Sequence, residues 1–222
     1  VTVIPALVLL DLDGTLTDSA PGIIDSVTRT YRALDLPAPT PAALRSFIGP
    51  PITRSFPTHG VPPARLDEAI AIYREHFAES GIWNNALYDG VLDQLELLRS
   101  AGYRLAIATS KPEVFARPIV ERFGVSRYLN GVFGAGLDYT GSKTTVIARA
   151  LATLAHDPQA SRTLMVGDRE HDVHGAADNG VPSLGVSWGY AEPGELVAAG
   201  AAHVIDDVNA LAESIEAYLE RS

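Results

Sequence analysis

Short runs of apolar residues alternate along this chain with longer stretches in which apolar residues recur every three or four positions. The runs Pro5 to Leu10, Arg104 to Thr109, Gly131 to Gly134, Thr163 to Gly167 and Pro182 to Val186 carry little polar alternation, which predicts strands buried on both faces of a parallel sheet. The three-and-four spacing predicts helices over Val91 to Ser100, Pro112 to Phe123, Lys143 to Leu154 and Asp172 to Asp178. Strands and helices in strict alternation define an α/β fold with a parallel, Rossmann-like sheet.

One interval breaks the pattern. Roughly 90 residues lie between the first and second predicted strands, where a βαβ crossover needs only about 30. Helical spacing over Ala20 to Leu34, Pro41 to Phe47 and Ala64 to Ser80, with Pro-rich joints at Leu36 to Pro41 and Val61 to Pro63, fills that interval. The chain therefore reads as a core domain of residues 1–16 and 87–222 interrupted by a helical domain of residues 17–86. Grafted beside the end of the first strand, the insert is expected to act as a lid.

Composition removes several function classes. The 222 residues are 46% hydrophobic and 20% charged, which suits a globular chain with one sizeable core and a smaller unit. A formal charge of -10 provides no basic footprint for nucleic acid and is repelled by anionic membranes, so neither is expected as a partner. The absence of cysteine excludes disulfides, thiol nucleophiles and thiolate metal sites. The apolar stretch Val3 to Leu10 is too short to span a bilayer and lacks a basic leader, so a cytoplasmic protein is expected.

The candidate chemistry sits at strand ends, where open α/β sheets place their sites. Asp11-Leu-Asp13-Gly14-Thr15 follows the first strand, and residues two apart on an extended chain point to the same side. Asp11 and Asp13 can thus address one reacting centre as nucleophile and proton-transfer partner, although Asp and Gly are also ordinary turn residues. Thr109-Ser110-Lys111-Pro112 ends the second strand, and with a helix opening at Pro112 its hydroxyls and free amides can hold a phosphate oxygen or simply cap the helix. Of 17 basic residues only Lys111 and Lys143 are lysine, which suggests positions needing a compact ammonium. Lys143, after Asp138 to Ser142, can neutralise a nucleophilic carboxylate and phosphoryl oxygens together. Asp168, behind another strand, can meet Asp11 around a hard cation, with Asp172 four residues on to orient a metal-bound water, and Mg²⁺ matches this oxygen supply. Asp172 can instead orient Lys143. His171 and His174 read as a solvated helix face.

Asp-Leu-Asp-Gly-Thr, then Thr-Ser, then Lys, then Gly-Asp-x-x-x-Asp, each on its own strand end, resembles the haloacid dehalogenase superfamily of phosphohydrolases, and the insert looks like its helical C1 cap. Ile48 to Pro51, Thr109 to Pro112 and Met165 to Ala176 are similar to the phosphoglycolate phosphatase group, nearest its 5′-nucleotidase-like branch. The resemblance implies Asp11 as nucleophile, Asp13 as general acid, Thr109 with Ser110 on phosphate and Lys143 as cationic clamp. It also implies a magnesium site of Asp11, Asp168, Asp172 and the Asp13 carbonyl, and hydrolysis of a small phosphorylated metabolite through an aspartyl-phosphate. A nucleotidase, a sugar phosphomutase and a phospho-accepting or phosphate-binding regulatory domain are the competing readings. A receiver has no use for a second acid at Asp13. Pro57, expected to interrupt a cap helix after Phe56, and Ala191, where similar chains often have Gly, depart from the pattern. Arg45 and Arg54, flanking Gly49-Pro50-Pro51, are the candidate cap residues for the leaving group.

Overall fold

The computed structural model describes residues 5–137, 141–159 and 161–221. The chain divides into two compact units, Val1–Leu16 with Leu87–Ser222, and Thr17–Ala86.

The first unit is built on a six-stranded sheet of β1 (Leu7–Leu10), β4 (Arg104–Pro112), β5 (Gly131–Ala135), β6 (Thr163–Gly167), β7 (Ser183–Val186) and β8 (His203–Ile205). Its order is β5-β4-β1-β6-β7-β8 and every neighbouring pair is parallel. This is the α/β class expected from the sequence. Leu7 to Leu10 are fully buried, as a central strand covered on both faces requires, and each such leucine contributes roughly 1.5–3 kcal/mol. The chain leaves β1 toward β4 on one side and later returns as β6 on the other. Leu10 is in register with Ile107 on β4 and Val166 on β6, so three strand ends converge at this switch point.

Helices α5 (Val91–Ser100), α6 (Glu113–Arg122), α7 (Lys143–Thr153), α8 (Glu170–Ala177), α9 (Glu195–Ala199) and α10 (Leu211–Arg221) complete this unit among the described residues. Three boundaries correct the sequence reading. β4 continues through Pro112, and α6 opens at Glu113, with a shift of register between Thr109 and Pro112. Helix α8 starts at Glu170, two residues early, so Asp172 lies in its first turn. Nothing in the sequence reading announced β8, α9 or α10, although Leu211, Ile215 and Leu219 form a buried i, i+4, i+8 stripe on α10.

The second unit holds α1 (Ala20–Ala33), α2 (Pro41–Arg45), α3 (Ile52–Thr58) and α4 (Leu66–Glu79), with short paired strands β2 (Thr17–Asp18) and β3 (Ala86–Leu87) where the chain enters and leaves. It has its own aromatic core: Phe47 and Phe56 are buried with ring centroids 5.5 Å apart, and Tyr73 stacks on Phe77 at 5.5 Å. Pro57 does not interrupt α3, because it falls in the last turn of a helix that ends one residue later. No described helix is long and apolar enough to cross a membrane.

Candidate active site

The ends of β1, β4 and β6 bring five sequence-predicted residues together: Asp11, Thr109, Lys143, Asp168 and Asp172 are all buried. The ammonium of Lys143, from the first residue of α7, lies 2.9 Å from Asp11 Oδ1 and 2.6 Å from Asp172 Oδ1. It donates a hydrogen bond to the Ala108 carbonyl at 2.9 Å. Toward the two carboxylates it has ion-pair distance without hydrogen-bond angles, and both of those oxygens are buried without a hydrogen-bond partner. Asp138 to Thr140, in the segment before Lys143, fall outside the described residues.

The second lysine also reaches the site. Lys111 Nζ donates to Asp13 Oδ2 at 2.7 Å, with both side chains nearly buried. The sequence flagged Lys111 by its rarity and assigned it no partner. β4 continues past Thr109 with an irregular register as far as Pro112, and there the Lys111 amide donates to Thr109 Oγ1 at 3.2 Å. Ser110, between them, is half-buried and makes no side-chain hydrogen bond among the described residues.

Two close approaches hold the acids in place. Gly14 has φ +82, and a Cβ there would lie 2.1 Å from Asp168 Oδ2, so only glycine lets the turn after Asp13 pass over Asp168. A Cβ on Gly167 would lie 2.2 Å from Asp172 Cγ. Asp168 Oδ2 accepts from the Tyr190 amide at 2.8 Å, and Asp172 Oδ2 accepts from the Arg169 amide at 3.1 Å. Thr15 Oγ1 approaches Asp168 Oδ1 at 3.4 Å, and Trp188 Nε1 donates to the Thr15 carbonyl at 3.1 Å. Sequence reasoning missed Tyr190 and Trp188, whose roles arise from the return of the chain after β7. The Gly-Asp pairing at Gly167-Asp168 was the available signal for Gly167.

Electrostatics define what the site lacks. Burial pushes the Asp11 carboxyl up, Lys143 pulls it back, Asp172 adds to the rise, and the outcome is about 6 instead of 3.8. Asp168 is pushed well above the usual range by burial and then by Asp172 and Asp11, against the pull of the Tyr190 amide. For Lys143, burial disfavours the ammonium, yet Asp11 and Asp172 outweigh it and its proton is held more tightly than in an ordinary lysine. Oxygens of Asp11, Asp168 and Asp172 lie within 4.8 Å of one another. Three buried carboxylates face one ammonium, so the donor set fits a hard divalent cation, which removes the excess charge and uses the orphaned oxygens.

Arg45, in the last turn of α2, and Arg54, on α3, are exposed on the second unit. His174 is exposed as expected, but His171 is half-buried, and burial followed by the Arg169 charge lowers its pKa.

This arrangement is that of a haloacid dehalogenase-like hydrolase, and the chain belongs to that family, whose model matches residues 8–186. It is 40% identical to a 5′-nucleotidase of Pseudomonas aeruginosa over 95% of this chain and 96% of the relative. It is 35% identical to a plasmid-encoded phosphoglycolate phosphatase of Cupriavidus necator, covering 92% and 90%. It is also 43% identical, over 84% of this chain and 63% of the relative, to the Mycobacterium tuberculosis tyrosine-protein kinase PtkA. Among solved structures, a protein of Clostridium acetobutylicum described as a predicted phosphatase superposes with a TM-score of 0.90 at 37% identity, covering 96% of this chain and 99% of that one. The family is the one that the strand-end motifs resemble.

Proposed function

We propose that this protein is a magnesium-dependent phosphomonoester hydrolase that acts on a small phosphorylated metabolite through an aspartyl-phosphate on Asp11. The observation that carries this reading is the imbalance at the strand ends, three buried carboxylates around one ammonium beside a lysine-paired Asp13. Mg²⁺ held by Asp11, Asp168, Asp172 and the Asp13 carbonyl would supply the positive charge that lets an anionic phosphate approach a carboxylate nucleophile.

The chain's own groups do the rest. Thr109, Ser110 and Lys143 receive the phosphoryl oxygens. Asp11 attacks phosphorus, and the leaving oxygen takes the proton of Asp13 as its bond to phosphorus breaks. Asp13, now a carboxylate beside Lys111, accepts a proton from the water that attacks the phosphorus of the aspartyl-phosphate. Phosphate departs and the Asp11 carboxylate is restored.

Phosphoglycolate and nucleoside 5′-monophosphates are the first substrates to test, supported by likeness to a phosphatase and a nucleotidase of those names. The charge of -10 argues against nucleic acid or an anionic membrane as a partner. A second reading, phosphoryl transfer to a protein hydroxyl instead of water, is favoured by the likeness to PtkA. The deciding experiment measures phosphate release from phosphoglycolate, nucleoside monophosphates and sugar phosphates, with and without Mg²⁺, for wild type and Asp11→Asn. Full activity after exhaustive chelation overturns the metal role, and wild-type release by Asp11→Asn overturns the nucleophile. Label from ATP recovered on protein tyrosine, with no free phosphate from any monoester, selects the second reading. An isomerised sugar phosphate in place of free phosphate selects a mutase.

A further inference from the structure

The segment between Asp168 and Asp172 carries two of the three carboxylates that would hold the metal, and a side chain remote from both fixes its shape. Glu195, the first residue of α9, accepts from Arg169 Nε at 2.8 Å and from the Glu170 amide at 2.9 Å, both through Oε1. Its Oε2 accepts from the Glu192 amide at 3.0 Å. The Arg169 and Glu195 side chains are only 15% and 11% exposed, so this ion pair is shielded and its geometry tightly set. Leu196, the next residue, is buried and anchors α9 to the sheet.

These contacts converge on the metal loop from one direction. The returning chain after β7 fixes Asp168 through the Tyr190 amide, and five residues later fixes Arg169 and Glu170 through Glu195. The Arg169 amide in turn holds Asp172 Oδ2. Glu195 touches none of the three metal carboxylates, yet it pins the two residues that follow Asp168.

We propose that Glu195 is a positioning residue for the metal site: it presets the spacing of Asp168 and Asp172, and thereby sets cation affinity without taking part in the chemistry. Groups that orient metal ligands from outside the coordination sphere change affinity by about 10–100-fold. The inference rests on the metal-dependent reading of this site and has its own signature, a split between metal affinity and turnover.

The test is calorimetric titration of the whole protein with Mg²⁺ alone, beside turnover of para-nitrophenyl phosphate at varied Mg²⁺. Glu195→Ala is expected to weaken Mg²⁺ binding about 10–100-fold, with kcat at saturating Mg²⁺ within about threefold of wild type. Glu195→Gln keeps an acceptor oxygen and loses the charge, so its affinity should fall between the two. Arg169→Ala removes the other half of the pair and should weaken binding without adding to the loss in the double variant. It also carries the test if Glu195→Ala does not fold. Unchanged Mg²⁺ affinity in folded Glu195 and Arg169 variants, with Asp168→Asn losing it, overturns the role of Glu195 alone. A kcat that stays low at saturating Mg²⁺ overturns it too. Absence of Mg²⁺ binding by the wild type overturns the metal reading itself, and this inference with it.

Discussion

Without metal, the site should oppose folding, and Asp11→Asn should reveal by how much. Burial, against the pull of Lys143 and with the push of Asp172, raises the Asp11 carboxyl from 3.8 to about 6. The folded state therefore holds this proton more tightly than the unfolded chain does. Below about pH 3.8 both states are protonated and there is no cost; between 3.8 and about 6 the cost grows; above 6 it is constant. A difference near two units corresponds to about 3 kcal/mol. Asparagine has the same shape and stays neutral at every pH, so the chelated variant should match wild type near pH 4 and exceed it by about 3 kcal/mol at pH 7.5. For a chain of this size that is roughly 6–12 °C in Tm. The assay is urea unfolding in EDTA at both pH values, followed by fluorescence in a Trp83→Phe background. That background leaves Trp188, whose indole bonds the Thr15 carbonyl within the core unit, as the reporter. Millimolar Mg²⁺ should close the gap by stabilising wild type more than the variant. A stability difference independent of pH, or one favouring wild type at pH 7.5 in EDTA, would refute the electrostatic account of this site.

Other substitutions separate the parts. Lys111→Met leaves Asp13 Oδ2 without its ammonium and should cost roughly 1–3 kcal/mol in urea unfolding at pH 7 together with most of kcat; a variant as stable and as active as wild type would remove Lys111 from the site. Gly167→Ala puts a methyl 2.2 Å from Asp172 Cγ and should cost about 1–3 kcal/mol while raising the Mg²⁺ needed for half-maximal rate, an outcome contradicted by unchanged metal dependence. If the second unit sets substrate choice, Arg54→Ala should lower kcat/KM for the preferred substrate by about 10–100-fold and leave para-nitrophenyl phosphate unchanged. Equal losses on both substrates would point to damaged packing in that unit.

What was legible in the sequence follows from how the site is made. Asp11 and Asp168 directly follow strands and Thr109 closes the apolar run of β4, so an apolar run with a polar residue at its exit located these three, while the rarity of lysine located Lys143 at the start of a helix. Asp172 sits one helical turn past Asp168 and was found by the same spacing. Glu195 had no such mark. It lies 23 positions beyond Asp172, and only the packing of α9 after β7 brings it to Arg169. Strand β8 has three residues, too few for a periodic pattern to register. Pro57 misled because the general cost of proline in a helix depends on how much helix remains after it.

Lys111 is the instructive failure. Reading Pro112 as the first helical residue placed Lys111 at a helix entrance, where a lysine has no defined direction. The strand instead runs on through Pro112 with an irregular register, and from that stretch the Lys111 side chain reaches Asp13. On the chain leaving β1, Asp11 and Asp13 are two apart; on parallel β4, Thr109 and Lys111 are two apart. Lys111 Nζ pairs with Asp13, the acid two residues beyond Asp11, and the Lys111 amide donates to Thr109 Oγ1 at 3.2 Å. On the proposed mechanism this ammonium stands beside the carboxylate that gives up and regains a proton, and it stabilises Asp13 in the ionised state between the two transfers.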